Sequence, residues 1–229
     1  MRPVNKGESP YTTISKYAEA LPFLKCRIGF YCSYCGFPII HVPEVEHVVS
    51  KSKEPALSTK WENLMLGCKY CNTRKSDDID LGNVDDYLWP DQYNTALAFR
   101  YDYGVPQIND AMLQQVDPSG DARSKAEKIY NLVKLGEQPG QKADRRTMQR
   151  NEVYETAKRA KERLDRNRAP DLMEQIIETA ICSGFFSIWT NVFSEDPEML
   201  NALILAFPGT EKDFFDAEGH PKEVLSRNG

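Results

Sequence analysis

The chain has 229 residues, 41% of them hydrophobic and 28% charged. That balance suits one compact domain with an appendage or two small domains, and it excludes a wholly disordered or collagen-like polypeptide. The net charge of −5 hides an asymmetry: residues 142–168 carry 10 basic and 5 acidic side chains and residues 169–229 carry 3 and 11, so the overall sign does not exclude a polyanionic partner.

In chain order, the apolar positions Tyr17, Leu21 and Leu24 predict a short helix within 11–25, ended at the Arg27-Ile28-Gly29 turn. The β-branched run FPIIHVPEVEHVV predicts a two-stranded hairpin over 37–49, with Pro43 at the turn or an edge. Residues 50–60 are a polar loop, 61–66 a short helical turn, and 72–79 the start of a helix. Residues 81–120 read as loop, with turn dipeptides at Pro90-Asp91 and Pro118-Ser119. Ile129, Leu132 and Val133 share a helical face stopped by Gly136 and Pro139-Gly140, and the Pro- and Gly-free residues 141–169 read as a long polar helix. Two more helices follow, on Leu172, Met173, Ile176, Ile177, Ala180 and Ile181, and on Leu200, Leu203, Ile204 and Phe207.

The longest apolar stretches fall far short of the roughly 20 residues of a spanning helix. The opening MRPVNKGESP lacks the apolar run of a secretory leader. A soluble cytoplasmic protein without membrane contact is expected.

Two C-x-x-C pairs, Cys32/Cys35 and Cys68/Cys71, lie 32 residues apart. A disulfide framework does not suit a chain with no secretion signal, and thioredoxin-type chemistry needs one pair, not two matched ones. Two knuckles presenting four thiolates read as a closed, structural zinc site. Cys26 and Cys182 are left as small buried hydrophobes.

Between and beside the knuckles lie Glu44, Glu46, His47, Asn63, Asn72 and Lys75. A phosphodiester hydrolase needs a base for water and a cation for the charge growing on the phosphate. A neutral imidazole suits the first role, and a carboxylate with an amide oxygen suits one hard divalent ion.

The pattern Tyr31-Cys32-x-x-Cys35, Glu46-His47, Asn63, Cys68-x-x-Cys71-Asn72-x-x-Lys75 resembles the HNH endonucleases over about residues 30–80. The resemblance implies an α+β chain, with a zinc-stabilised ββα-metal, treble-clef-like core embedded in a mainly helical polypeptide. It implies that His47 is the general base, that Glu46 and Asn72 bind Mg²⁺ or another divalent cation, and that Asn63 braces the loop that positions His47. The chain departs from the family in having Glu46 for the usual Asp, and Ser50 for a common Pro, which is expected to loosen the loop.

The segments MRPVNKG, IGFYCSYCG, EVEHVVSKS, WENLMLGCKYCN and YLWPDQYNTALAF are similar to the HNH nucleases of Septu anti-phage systems, relatives of retron-associated effectors. That likeness implies a hetero-oligomeric complex with an ABC/SMC-like ATPase and a nucleic-acid substrate, DNA or alternatively tRNA. The chain itself has no G-x-x-x-x-G-K-[ST]. The implied organisation is a helical lead-in (1–29), the nuclease core (30–80), a loop-rich extension (81–120) and a helical region (121–229). A non-catalytic zinc module that binds nucleic acid is the alternative of another class.

Other features read as structural or stay open. Glu44 is a second carboxylate near the metal or a solvated edge charge, and Lys75 a phosphate contact or a helix-face residue. Asp77, Asp78, Asp80, Asp85, Asp86 and Asp91 read as solvated, His41 and His220 lack companions with ligand spacing, and Tyr87-Leu88-Trp89-Pro90 reads as packing. The basic residues of 142–168 read as a solvated face laced by Glu155–Arg159 and Glu162–Arg166 pairs, with phosphate contact as the competitor. The acidic C-terminal helices are a docking surface or a self-contained bundle.

Overall fold

The computed structural model describes residues 1–137 and 145–226. The protein is α+β and mostly helical. After a 3-10 turn at Tyr17–Ala20, helix α1 (Leu21–Ile28) ends on Gly29, whose φ of 74° only glycine adopts freely. Strand β1 (Glu44–His47) pairs antiparallel with β2 (Leu64–Gly67), in the register Glu44↔Gly67 and His47↔Leu64. Helix α2 (Lys69–Lys75) follows directly, with Cys68 as its N-cap. The unit is ββα.

The expected 37–49 hairpin is therefore corrected. Only its second half forms a strand, and its partner lies across a long loop, in the segment read as a helical turn. That turn exists only at Trp61–Asn63, after which the chain extends. All four β2 residues are buried on both faces, so no alternation marks them as a strand.

The stretch read as loop holds a second small unit: helix α3 (Thr95–Ala98), strands β3 (Phe99–Asp102) and β4 (Val105–Ile108), and helix α4 (Asp110–Val116). The β3–β4 turn places Tyr103 and Gly104 at φ 50° and 78°. Two positive φ values in a row match strand twist, and the Tyr at the first of them disguises the turn in the sequence.

Helix α5 (Asp121–Leu132) and the long α6 (Arg145–Arg166) match the expected helices. The Pro139-Gly140 stop and Lys142 lie outside the described residues. Helices α7 (Pro170–Ser183), α8 (Phe186–Val192) and α9 (Pro197–Ala206) complete the helical part, α6 packing on α7 and α8, and α9 on α7. No helix among the described residues is long and apolar enough to cross a membrane.

One buried apolar cluster runs through both parts, from Leu24 and Leu66 to Trp189 and Leu203. The opening segment fastens them together. Arg2 donates to the carbonyls of Ile28 and Pro208, at 2.7 and 2.6 Å. Lys6 donates to the Glu62 and Leu64 carbonyls and pairs with Asp91 at 2.8 Å. Asp91 is thus a buried partner and not a solvated acid. Among its neighbours in the acidic run, Asp80 and Asp86 meet Lys53 and Lys128 at the surface. Leu88 and Trp89 are fully buried, as the packing reading expects. Cys26 and Cys182 lie exposed on the outer faces of α1 and α7, contrary to expectation.

The basic helix is also revised. Arg146 and Arg150 are buried anchors. Among the described residues, the surface ion pair within α6 is Lys161–Asp165, at 2.8 Å, while Arg166 bonds the Glu162 carbonyl and Arg168 reaches Asp196 and Glu198.

Candidate active site

Cys32, Cys35, Cys68 and Cys71 are all buried, with their sulfurs within 4.8 Å of one another. Cys35 Sγ and Cys68 Sγ are 3.7 Å apart. A disulfide needs about 2.05 Å. A tetrahedron of Zn–S bonds of about 2.3 Å has edges near 3.8 Å. The cluster fits a structural zinc ion. Its neighbours suit thiolates: the Cys71 amide donates to Cys68 Sγ at 3.4 Å, and Arg146 Nη1 reaches Cys71 Sγ at 3.2 Å. Arg146 also holds the Val133 and Lys134 carbonyls, so one guanidinium ties α6 and the end of α5 to the second knuckle.

The four cysteines clamp the start of the chain's ββα unit to its helix, and the side chains expected to do chemistry hang on that frame. His47 ends β1. Its Nε2 lies 3.0 Å from the Ser58 carbonyl, which can only accept, so Nε2 carries the proton. Nδ1 then holds the free lone pair. Burial holds the imidazole below its ordinary pKa; the Ser58 carbonyl opposes this, while Lys51 and Lys75 reinforce it. His47 is therefore neutral at neutral pH, as a base must be.

Asn63 is buried and spans the loop after β1. Its Oδ1 accepts from the Val49 amide at 2.7 Å, and its Nδ2 donates to the carbonyls of Val49 and Leu57 at 3.0 and 3.2 Å. Three bonds from one side chain fix the segment that carries the Ser58 carbonyl behind His47. Ser50 does not loosen that loop. Its amide donates to the Ile79 carbonyl at 2.9 Å, a bond that a proline, lacking the N–H, could not make.

Glu46 is 2% exposed. One oxygen lies 2.8 Å from Lys75 Nζ, and the other accepts the Tyr34 hydroxyl. Burial pushes this carboxyl up, and the Lys75 ammonium and Tyr34 hydroxyl pull it back. Lys75 is itself 1% exposed and also bonds the His47 carbonyl at 2.6 Å. It is neither a phosphate contact nor a solvated helix residue: it joins α2 to the strand that carries His47.

Asn72 Nδ2 donates to Glu44 Oε2 at 2.6 Å, which turns the amide oxygen Oδ1 the other way. Glu44 thus orients Asn72 and pairs weakly with Lys69 at 3.9 Å. Glu46, His47 and Asn72 line one surface depression of about 320 Å³, together with Tyr17, Ser50, Lys51, Ser52 and Asp77. An ionised carboxylate has about four acceptor positions, so Glu46 keeps capacity beyond Lys75 and Tyr34. One carboxylate and one free amide oxygen beside a neutral imidazole fit a hard divalent cation.

Residues 32–78 match the family model described as HNH endonuclease. This segment is an HNH endonuclease domain. Its chemistry is phosphodiester hydrolysis, which makes the protein a nuclease acting on nucleic acid, and the family implies a catalytic divalent metal. No curated protein and no solved structure matches the chain.

The HNH segment covers about a fifth of the 229 residues. Several groups that complete its surroundings are not marked for that role by the sequence. Tyr34 sits inside the first knuckle, where C-x-x-C spacing draws attention away from the two residues between. Tyr17 and Lys51 flank His47 from outside its strand, and Arg146 comes from 75 residues beyond Cys71. Only the motif neighbourhood could have suggested Lys51. No local signal points to Arg146.

Proposed function

We propose that the protein is the metal-dependent nuclease effector of a Septu-type bacterial anti-phage complex, cutting phosphodiester bonds of phage DNA under the control of an ABC/SMC-like ATPase. In this reading the nuclease unit is residues 30–80, and the lead-in, extension and helical region are accessory parts, the last serving partner docking in the cytoplasm. The likeness of five segments across residues 1–100 to Septu nucleases supports the system. The observation that carries the chemistry is His47, neutral, with Nδ1 unpartnered among the described residues, beside Glu46 and Asn72 in one depression.

His47 Nδ1 takes the proton from the attacking water while the Ser58 carbonyl holds Nε2–H. Asn63 keeps that carbonyl in place. Glu46 and Asn72 would hold the divalent ion, Lys75 fixing the carboxylate and Glu44 the amide. When bound, the ion supplies positive charge for the transition state and the leaving oxygen. A zinc ion on the four cysteines would have no open position and would only maintain the frame.

The test is a cleavage assay of the full chain, alone and with its ATPase, on phage DNA and on total tRNA, with and without added Mg²⁺ and with zinc content checked in both. Mg²⁺-dependent loss of DNA is expected. Loss of tRNA alone would move the substrate to RNA, and binding without turnover in the complete complex would overturn the nuclease reading in favour of a zinc binding module.

A further inference from the structure

Tyr17 lies outside the HNH segment, yet its ring meets the His47 imidazole edge-on, with centroids 4.8 Å apart and planes at 73°. Lys51 is held by the same tyrosine. Its Nζ lies 4.3 Å from the ring centroid and donates to the Tyr17 hydroxyl at 3.2 Å. Tyr17 also lines a neighbouring depression of about 520 Å³ that holds Glu44, Lys69 and Asn72. With Val45, Asn72 and Ser76 it lines both hollows.

Lys51 differs from the other lysines nearby. Lys53, Lys69 and Lys75 each meet a carboxylate. Lys51 is exposed on the rim of the His47 depression and has no carboxylate partner among the described residues. A cation held by a ring face and a neutral hydroxyl keeps its full charge for an arriving anion. The edge-to-face contact meanwhile restricts rotation of the imidazole, whose Nε2 is already fixed by Ser58.

We infer that Tyr17 and Lys51 act as a pair on the nucleic-acid strand: Lys51 binds a backbone phosphate, and Tyr17 positions both Lys51 and the His47 imidazole. The inference rests on the nuclease reading and assigns the lead-in a direct part in the site. Tyr17 is a positioning residue, and Lys51 a substrate contact.

The test compares Lys51→Gln, Tyr17→Phe and Tyr17→Leu with wild type, by duplex-DNA binding across a salt series with neither Mg²⁺ nor chelator added and by steady-state cleavage in Mg²⁺ with the ATPase present. Lys51→Gln is expected to lower the slope of log affinity against log salt by about 0.9, the value for one phosphate contact, and to raise KM with little change in kcat. Tyr17→Leu is expected to lower kcat about tenfold by misplacing the base, and Tyr17→Phe to keep kcat. An unchanged salt slope in Lys51→Gln, or an unchanged kcat in Tyr17→Leu, would overturn the pairing. The binding arm decides Lys51 even where no protein cleaves, so the loss of the nuclease reading is told apart from the loss of this one.

Discussion

The HNH segment and the helical region beyond it bury different chemistry. Between Cys32 and Lys75 the buried set includes four cysteines, Glu46, His47, Asn63 and Lys75, each with a defined partner. From α7 to α9 it is Ile176, Ala180, Ile188, Trp189, Leu203 and Ile204, held by shape and apolar contact. Burying a charge costs several kcal/mol unless it is paired. A short ββα unit that carries so many such groups is specialised for chemistry, while the helical region contributes bulk that holds it. The exceptions in the helical region, Arg146 above all, sit where the two regions meet.

The comparison breaks most readily at zinc. Metal binding to structural cysteine sites is worth roughly 10–16 kcal/mol, as much as or more than the roughly 5–15 kcal/mol of a domain's net stability. A strong chelator is expected to abolish amide protection over residues 31–75, while α7 to α9 retain theirs, as read by hydrogen exchange. Equal loss in both regions would show one cooperative unit.

Lys75→Met is next. It leaves Glu46 buried beside Tyr34 without its cation, and breaking a buried pair costs about 3–5 kcal/mol. The expected result is a clear fall in Tm together with loss of cleavage. Leu203→Ala sharpens the contrast from the other side. It removes a fully buried side chain from α9 and should cost about 2–5 kcal/mol, while cleavage per folded molecule, measured well below the new Tm, stays at the wild-type level. The smallest stability effect is expected for Asn63→Ala, about 1–3 kcal/mol for the polar groups it strands. Its cleavage defect should exceed that stability loss, because the loop behind His47 loses its brace.

The sequence made the site more legible than the fold. Cysteine spacing and the Glu46-His47, Asn63 and Asn72 pattern announce themselves because zinc knuckles and the HNH motif tolerate few residue types. The helices are equally plain: α7 and α9 each show one apolar face at a 3.6-residue period, and α6 is marked by a polar run free of Pro and Gly. What was hidden is non-local. Strand β2 is buried on both sides and carries no alternation, and its pairing with β1 spans a loop of 16 residues, from Val48 to Asn63. The β3–β4 turn uses a tyrosine at positive φ, where a glycine or asparagine would have given it away. Lys75 and Ser50 looked peripheral because their roles depend on which backbone lies opposite, the His47 carbonyl for one and the Ile79 carbonyl for the other.

The most direct measurement of the central claim is single-turnover cleavage by His47→Ala against wild type, with zinc content measured on the same preparations. The account predicts full zinc occupancy and a rate lower by about 10²–10⁴-fold, the range for loss of a general base. Undiminished Mg²⁺-dependent cleavage by His47→Ala would contradict it.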